Sequence, residues 1–315
     1  MCYTTGKNMK VIFMGTPDFS VRTLEKIIEA GHEVLAVMTQ PDKPKGRGKA
    51  VAFPPVKEKA LEHNIPVYQP IKVREEEYVN IIRELNPDVI VTVAFGQILP
   101  ESILNIPKYG CINVHASLLP KYRGAAPIQW AVIDGEKESG VTTMYMAKGI
   151  DTGDMILKAV TPIEKDETYG SLHDKLAVLG ADLLVETLVA LENGTAIREE
   201  QDDSLSNYVV PIDKTLGHLD FNKSAIELER LIRGLNPVPS AYTFLDNKKL
   251  KVWKAEVVPC KEGKEGEIVQ VTKDSIIIKT KEDGLALKEI QLEGKKRMEV
   301  TDFLRGYNIT VGTVL

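Results

Sequence analysis

KVIFMG (10–15) is an apolar run that closes on glycine, and it begins a strand–helix–strand unit. TPDFSVRTLEKIIEAG (16–31) follows with apolar residues at helical spacing, and EVLAVMTQ (33–40) is a second apolar run. A βαβ unit of about thirty residues implies a right-handed crossover between parallel strands. Thr16 or Asp18 is placed to cap the helix, and Gly31 to end it. The alternation continues through DVIVTVAF (88–95), GCINVHAS (110–117) and GVTTMYMA (140–147), with an edge strand in DMILKAVTPI (154–163). Helices are expected near 54–63, 75–85 and 126–133, and a long one from Thr168 to Leu191. This part reads as an α/β domain with a doubly wound, mostly parallel sheet.

The pattern changes after Thr195. TAIREEQDDSLSNYV (195–209) is polar and aperiodic and reads as a linker. SAIELERLIRGLNP (224–237) is a capped helix stopped by Gly234 and Pro237. Short β-rich pieces then alternate with Asp-Asn, Lys-Asp and Asp-Gly corners, which suggests a small β-barrel or sandwich, and a smaller C-terminal β-barrel, OB-like in kind, is the expected fold. The expected organisation is a tail over 1–8, an α/β domain over 9–194, the linker over 195–209 and a β domain over 210–315.

With 315 residues, 43% of them hydrophobic, the chain is long enough for two cores. Its net charge is −5, unevenly spread. From Val210 to Leu315 there are 18 Lys/Arg against 16 Asp/Glu, and 22 against 29 before that. The C-terminal part is thus mildly basic, which permits contact with nucleic acid. Three widely spaced cysteines, Cys2, Cys111 and Cys260, give neither a disulfide framework nor a metal spacing. No secretory leader or membrane-length apolar run is legible, so a reducing cytoplasm is the expected setting and no membrane partner is expected.

Asn113 and His115 stand out in the strand INVH. Positions i and i+2 of a strand point the same way, so both polar side chains share one face near the strand's C-terminal end. In open α/β sheets ligands bind at that edge. KGIDTGDMI (148–156) adds Asp151 and Asp154 in a Gly-rich loop, either of which could reach the histidine. Ser117 lacks the GxSxG elbow of a hydrolase nucleophile. The first βα turn, MGTPDF, holds only Gly15 where a dinucleotide site wants GxGxxG, which argues against an NAD enzyme. TQPDKPKGRGKA (39–50) carries Lys43, Lys45, Arg47 and Lys49 among glycines and prolines and reads as a basic, irregular arm suited to an anionic substrate.

NVHASLLPKYRGAAPIQWA (113–131), with GTPDF, TQPDKPKGRGK and DTGD, closely resembles the methionyl-tRNA formyltransferase family, from Met9 through the C-terminal domain. Other folate-dependent formyltransferases, acting on sugar nucleotides or purine precursors, share the Asn, His, SLLP and Asp pattern. RGAAPIQWA, the basic arm and the β-rich tail favour the tRNA group. The resemblance implies transfer of a formyl group from 10-formyltetrahydrofolate to the α-amino group of methionine on initiator tRNA, without a metal. It implies Asn113, His115 and Asp151 as the catalytic set. Asn113 and His115 would donate to the developing oxyanion, and Asp151 would pair with the imidazole or accept the amine proton.

Ser117, Leu118, Leu119 and Pro120, with Phe95, Gly96, Gln97, Ile98 and Leu99, are expected to line the folate pocket. Arg47, matching the family's loop arginine, is expected to grip tRNA phosphate with Lys43, Lys45 and Lys49. Lys248, Lys249, Lys251 and Lys254 around Trp253, and Lys295, Lys296 and Arg297, are further candidates for phosphate contact. The protein is expected to act as a monomer. Two other classes compete: a non-catalytic RNA-binding protein on a dead scaffold, and a nicotinamide oxidoreductase.

Overall fold

The computed structural model describes residues 8–44 and 51–315. Along the chain come β1 (Lys10–Gly15), α1 (Asp18–Glu29), β2 (Glu33–Met38), β3 (Lys43–Pro44), β4 (Val51–Ala52), α2 (Pro55–Glu62), β5 (Val67–Tyr68), α3 (Glu76–Leu85), β6 (Val89–Val93), α4 (Glu101–Leu104), β7 (Cys111–His115) and β8 (Arg123–Gly124). Then follow α5 (Pro127–Ile133), β9 (Glu138–Tyr145), β10 (Met155–Pro162), α6 (Tyr169–Glu192), β11 (Tyr208–Val209) and α7 (Ala225–Gly234). The last elements are β12 (Ala241–Leu245), β13 (Lys248–Val258), β14 (Ile268–Val271), β15 (Ile276–Lys279), β16 (Gly284–Leu292), β17 (Met298–Glu299) and α8 (Val300–Phe303).

These elements form two compact units. The first holds the described residues up to Gly124 with Glu138–Thr161 and His173–Val209; the second holds Ala125–Lys137, Pro162–Leu172 and Val210–Leu315. The division does not follow chain order, because α5 and the start of α6 cluster with the C-terminal residues.

The first unit is built on a seven-stranded sheet of order β10-β9-β7-β6-β1-β2-β5. The pairs β1/β2, β1/β6, β2/β5 and β6/β7 are parallel, and β7/β9 is antiparallel. β6 and nearly all of β1 are buried, as continuous apolar runs require when helices cover both faces of a parallel sheet. β10 lies at the edge, and its outer half alternates between half-buried and exposed residues. α1 turns Phe19, Leu24 and Ile27 inward.

The cap expected for α1 is not made by a side chain. Its N-cap is Pro17. Thr16 instead accepts from Gln40 N at 3.3 Å and donates to the Phe95 carbonyl at 3.2 Å, tying the first βα turn to the ends of β2 and β6. Gly15 is needed there by close approach, since an added Cβ would lie 2.9 Å from the Val93 carbonyl oxygen. Gly31, at φ +85°, follows the helix end as expected.

Two stretches read as irregular carry structure. The described ends of the basic arm pair as the short antiparallel strands β3 and β4. The segment 195–209 is more than a linker: Glu199 bridges to Met155, and β11 pairs in parallel with β8. A polar, aperiodic sequence signals absence of a buried face, not absence of hydrogen-bonding partners.

In the second unit, β12–β17 form a six-stranded antiparallel sheet with the path β12-β13-β16-β15-β14 and β17 on β16. α7 opens on a capping box, with the Ser224 hydroxyl accepting from Glu227 N and the Glu227 carboxylate accepting from Ser224 N. Its Leu228, Leu231 and Ile232 pack into one core with Leu250, Ile278 and Leu287 of the sheet. Among the described residues no helix is long and apolar enough to cross a membrane.

Candidate active site

β7 runs antiparallel to β9 and parallel to β6, with Thr92, Asn113 and Met144 in register across the three strands. Cys111, Asn113 and His115 occupy alternate positions and therefore face one side of the sheet. Asn113 is half-buried, and among the described residues its amide has no hydrogen-bond partner. An amide NH₂ so placed is a free donor beside the end of the sheet.

His115 is 7% exposed, and both of its ring nitrogens face oxygen. Nε2 lies 2.8 Å from the Tyr122 carbonyl, and Nδ1 lies 3.6 Å from Oδ2 of Asp151. A carbonyl only accepts, so Nε2 carries a hydrogen. At 3.6 Å Nδ1 lies beyond hydrogen-bond distance of that carboxylate.

Asp151 sits in the left-handed region at φ +53°, which asparagine and aspartate tolerate better than most residues. Its carboxylate accepts from Gly124 N at 2.9 Å. Two residues on, Gly153 passes so close to β9 that an added Cβ would lie 1.7 Å from the Tyr145 carbonyl oxygen. Asp154, the other acid of this loop, accepts from Arg198 Nε at 3.1 Å. The structure therefore brings Asn113, His115 and Asp151 together and turns Asp154 to another partner.

The residues expected around the folate divide differently. Phe95 and Leu99 are buried in the apolar cluster with Ile103 and Cys111. Leu119 packs with Met144 and Met155. Gln97 accepts from Val73 N at 2.7 Å and donates to the Pro70 carbonyl at 2.8 Å, bracing a loop. Ser117 donates to the Lys121 carbonyl at 2.7 Å, and its own carbonyl accepts from Thr142, closing the corner through Pro120. Leu118 packs over Gly140, Gly96 turns at φ +82°, and Ile98 is 68% exposed.

A cavity of about 620 Å³ is lined by Glu101, Leu104, Lys108, Tyr109, Lys148 and Arg198 among others, and Asn113, His115 and Asp151 do not line it. None of the nine expected folate residues lines it. Of the basic arm, Lys43 is exposed on β3, while Lys45, Arg47 and Lys49 lie outside the described residues. In the second unit Lys249 stacks 3.7 Å from the Tyr242 ring centroid, and Arg297 lies over Trp253 while hydrogen-bonding Glu289.

Residues 8–188 match the formyl transferase family, and 211–308 match the formyl transferase C-terminal domain. The methionyl-tRNA formyltransferase of Lachnospira eligens is 56% identical over 313 residues, covering 98% of this chain and 99% of its own. That of Clostridioides difficile is 54% identical over 308 residues, covering 98% and 100%.

This chain belongs to the methionyl-tRNA formyltransferase family.

Solved structures with the same fold include WlaRD, a sugar 3N-formyl transferase in the presence of dTDP and 5-N-formyl-THF, at a TM-score of 0.66 and 21% identity, covering 92% of this chain and 100% of that one. HypX from Aquifex aeolicus in complex with tetrahydrofolic acid aligns at 0.63 and 16% identity, covering 98% and 51%. Among the described residues of this methionyl-tRNA formyltransferase family member, no group of His, Cys, Asp or Glu is placed to hold a metal ion.

Cys111, on the same face as Asn113, is not a nucleophile. Burial pushes its thiol up to about 12. Native protein at pH 8 is expected to leave Cys111 unmodified by a thiol reagent while the half-buried Cys260 reacts, and denaturant is expected to expose Cys111. Peptide mapping after a timed pulse of iodoacetamide checks this. Rapid labelling of Cys111 in the native state would contradict it.

Proposed function

We propose that Asn113, His115 and Asp151 carry out formyl transfer from 10-formyltetrahydrofolate to the α-amino group of methionine on initiator tRNA. The observation that carries the reading is the unpartnered Asn113 amide beside a His115–Asp151 pair, in a chain of this family. Asn113 donates to the formyl oxygen as the amine adds and charge builds on that oxygen. His115 donates a second hydrogen bond from Nδ1 while Nε2 stays on the Tyr122 carbonyl. Asp151 takes the proton released by the amine, directly or through a water, and that proton passes on to the folate N10, which leaves with the C–N bonding pair. No side chain forms a covalent bond to the formyl group.

The donor's ring system sits against Ser117, Leu118, Leu119 and Pro120 with Phe95, Gly96, Gln97, Ile98 and Leu99, the corner and the loop that follow the ends of β7 and β6. A flat ring suits an apolar wall with backbone polar groups nearby. The basic arm, with Arg47 foremost and Lys43, Lys45 and Lys49 around it, holds the phosphates of the acceptor end. The reaction takes place in the cytoplasm, on a monomer.

A charge placed on this wall tests the donor site. Ile98→Asp, at a position 68% exposed, is expected to raise the KM for 10-formyltetrahydrofolate at least about tenfold, the effect of losing roughly 1.4 kcal/mol of binding, with the KM for charged tRNA unchanged. An unaltered donor KM, or equal rises for both substrates, would exclude this wall as the donor's seat.

A further inference from the structure

The segment 199–209 reaches the site through a second layer of hydrogen bonds. Gln201 is buried, and its side-chain amide donates to two carbonyls of the catalytic loop, Asp151 and Gly153, each at 2.8 Å. Its Oε1 accepts from Arg123 Nε at 3.0 Å, and because arginine only donates, the orientation of the amide is fixed. Arg123 is itself 2% exposed and donates to Asp203 at 2.8 Å, so the segment holds the arginine from two positions. Asn207 accepts from Tyr122 N at 2.6 Å, and its carbonyl accepts from Arg123 N at 3.0 Å. Tyr122, at φ +59°, is the residue whose carbonyl holds His115 Nε2.

We infer that segment 199–209 is the strap that sets the geometry of the His115–Asp151 pair, with Gln201 and Asn207 as positioning residues. The strap touches each partner one bond removed. Gln201 fixes the backbone on which Asp151 stands, and Asn207 fixes the carbonyl that orients the imidazole. Both backbone positions lie in the left-handed region, where an L residue stays only when its surroundings hold it. Gly124 N, donated to the Asp151 carboxylate, belongs to the β8 strand that pairs with β11 of the strap. The strap therefore acts on Asp151 at its main chain and at its side chain. The inference rests on the roles proposed above for His115 and Asp151.

Gln201→Glu separates the contacts. It keeps an acceptor for Arg123 and removes the donors to Asp151 and Gly153. The expected result is a kcat lowered by roughly 10- to 100-fold, the order of loss that follows a misplacement near 1 Å, with both KM values held. Combination with Asp151→Asn supplies the readout that general loosening would not give. In that background Gln201→Glu is expected to cost less than about twofold, because the group it positions has been disabled.

The same fold loss in both backgrounds, or an unchanged kcat, would overturn the strap's role. A normal rate for Asp151→Asn alone would instead overturn the assignment of Asp151, and the inference with it. Should Gln201→Glu fail to fold, Asn207→Ala at an exposed position gives the parallel cycle with His115→Ala, with the same two readings.

Discussion

Asn113→Ala is expected to lower kcat for formyl transfer by roughly 10²–10³, the loss typical of removing one oxyanion donor. The fold and the donor KM are expected to stay near normal. The residue is half-buried, and its amide has no partner among the described residues, so truncation breaks no hydrogen bond of the folded state. In the proposed mechanism the interaction it loses is one made as charge develops on the formyl oxygen, so the effect is expected in kcat rather than KM. Single-turnover rates at saturating donor and acceptor, with circular dichroism as the control for folding, measure it. A rate within a few-fold of the parent would remove Asn113 from the mechanism.

Asp151→Asn is the more severe change, expected to lower kcat by about 10²–10⁴, the range for losing general acid–base catalysis. The amide is nearly isosteric, and its oxygen can still accept from Gly124 N, so the loop keeps its anchor. Two properties go together. The negative charge facing His115 Nδ1 disappears. The proton acceptor for the attacking amine disappears as well. The matching substitution Asp154→Asn, whose carboxylate pairs with Arg198 outside the Asn113–His115 pair, is expected to leave kcat within a few-fold. Comparable losses at both positions would show that the loop, rather than its Asp151 carboxylate, matters.

The α/β architecture was legible because buried parallel strands write themselves as apolar runs, and the helices between them keep a 3.6-residue period. Asn113 and His115 were legible for a related reason: two polar residues at i and i+2 break such a run on one face only. The choice between Asp151 and Asp154 was not legible from spacing, since both lie in one Gly-rich loop, and the resemblance to the family supplied it. What divides them in space is a turn at φ +53° and an arginine 44 residues away.

The expected folate wall shows where apolar pattern stops informing. Phe95, Leu99 and Leu119 are buried in apolar clusters and Ile98 is 68% exposed, a difference their apolar runs do not carry. The strap was invisible for a different reason. Gln201, Asp203 and Asn207 meet their partners across 48 to 85 residues of sequence through hydrogen bonds, and such contacts leave no periodicity.

The most direct measurement is formyl transfer by the purified protein from 10-formyltetrahydrofolate to charged initiator Met-tRNA, with elongator Met-tRNA, uncharged tRNA and an amino sugar nucleotide as competing acceptors. The account predicts N-formylmethionine on the initiator tRNA, far less on the elongator, and none on the other two. Transfer to the sugar amine with no formylation of Met-tRNA would contradict it.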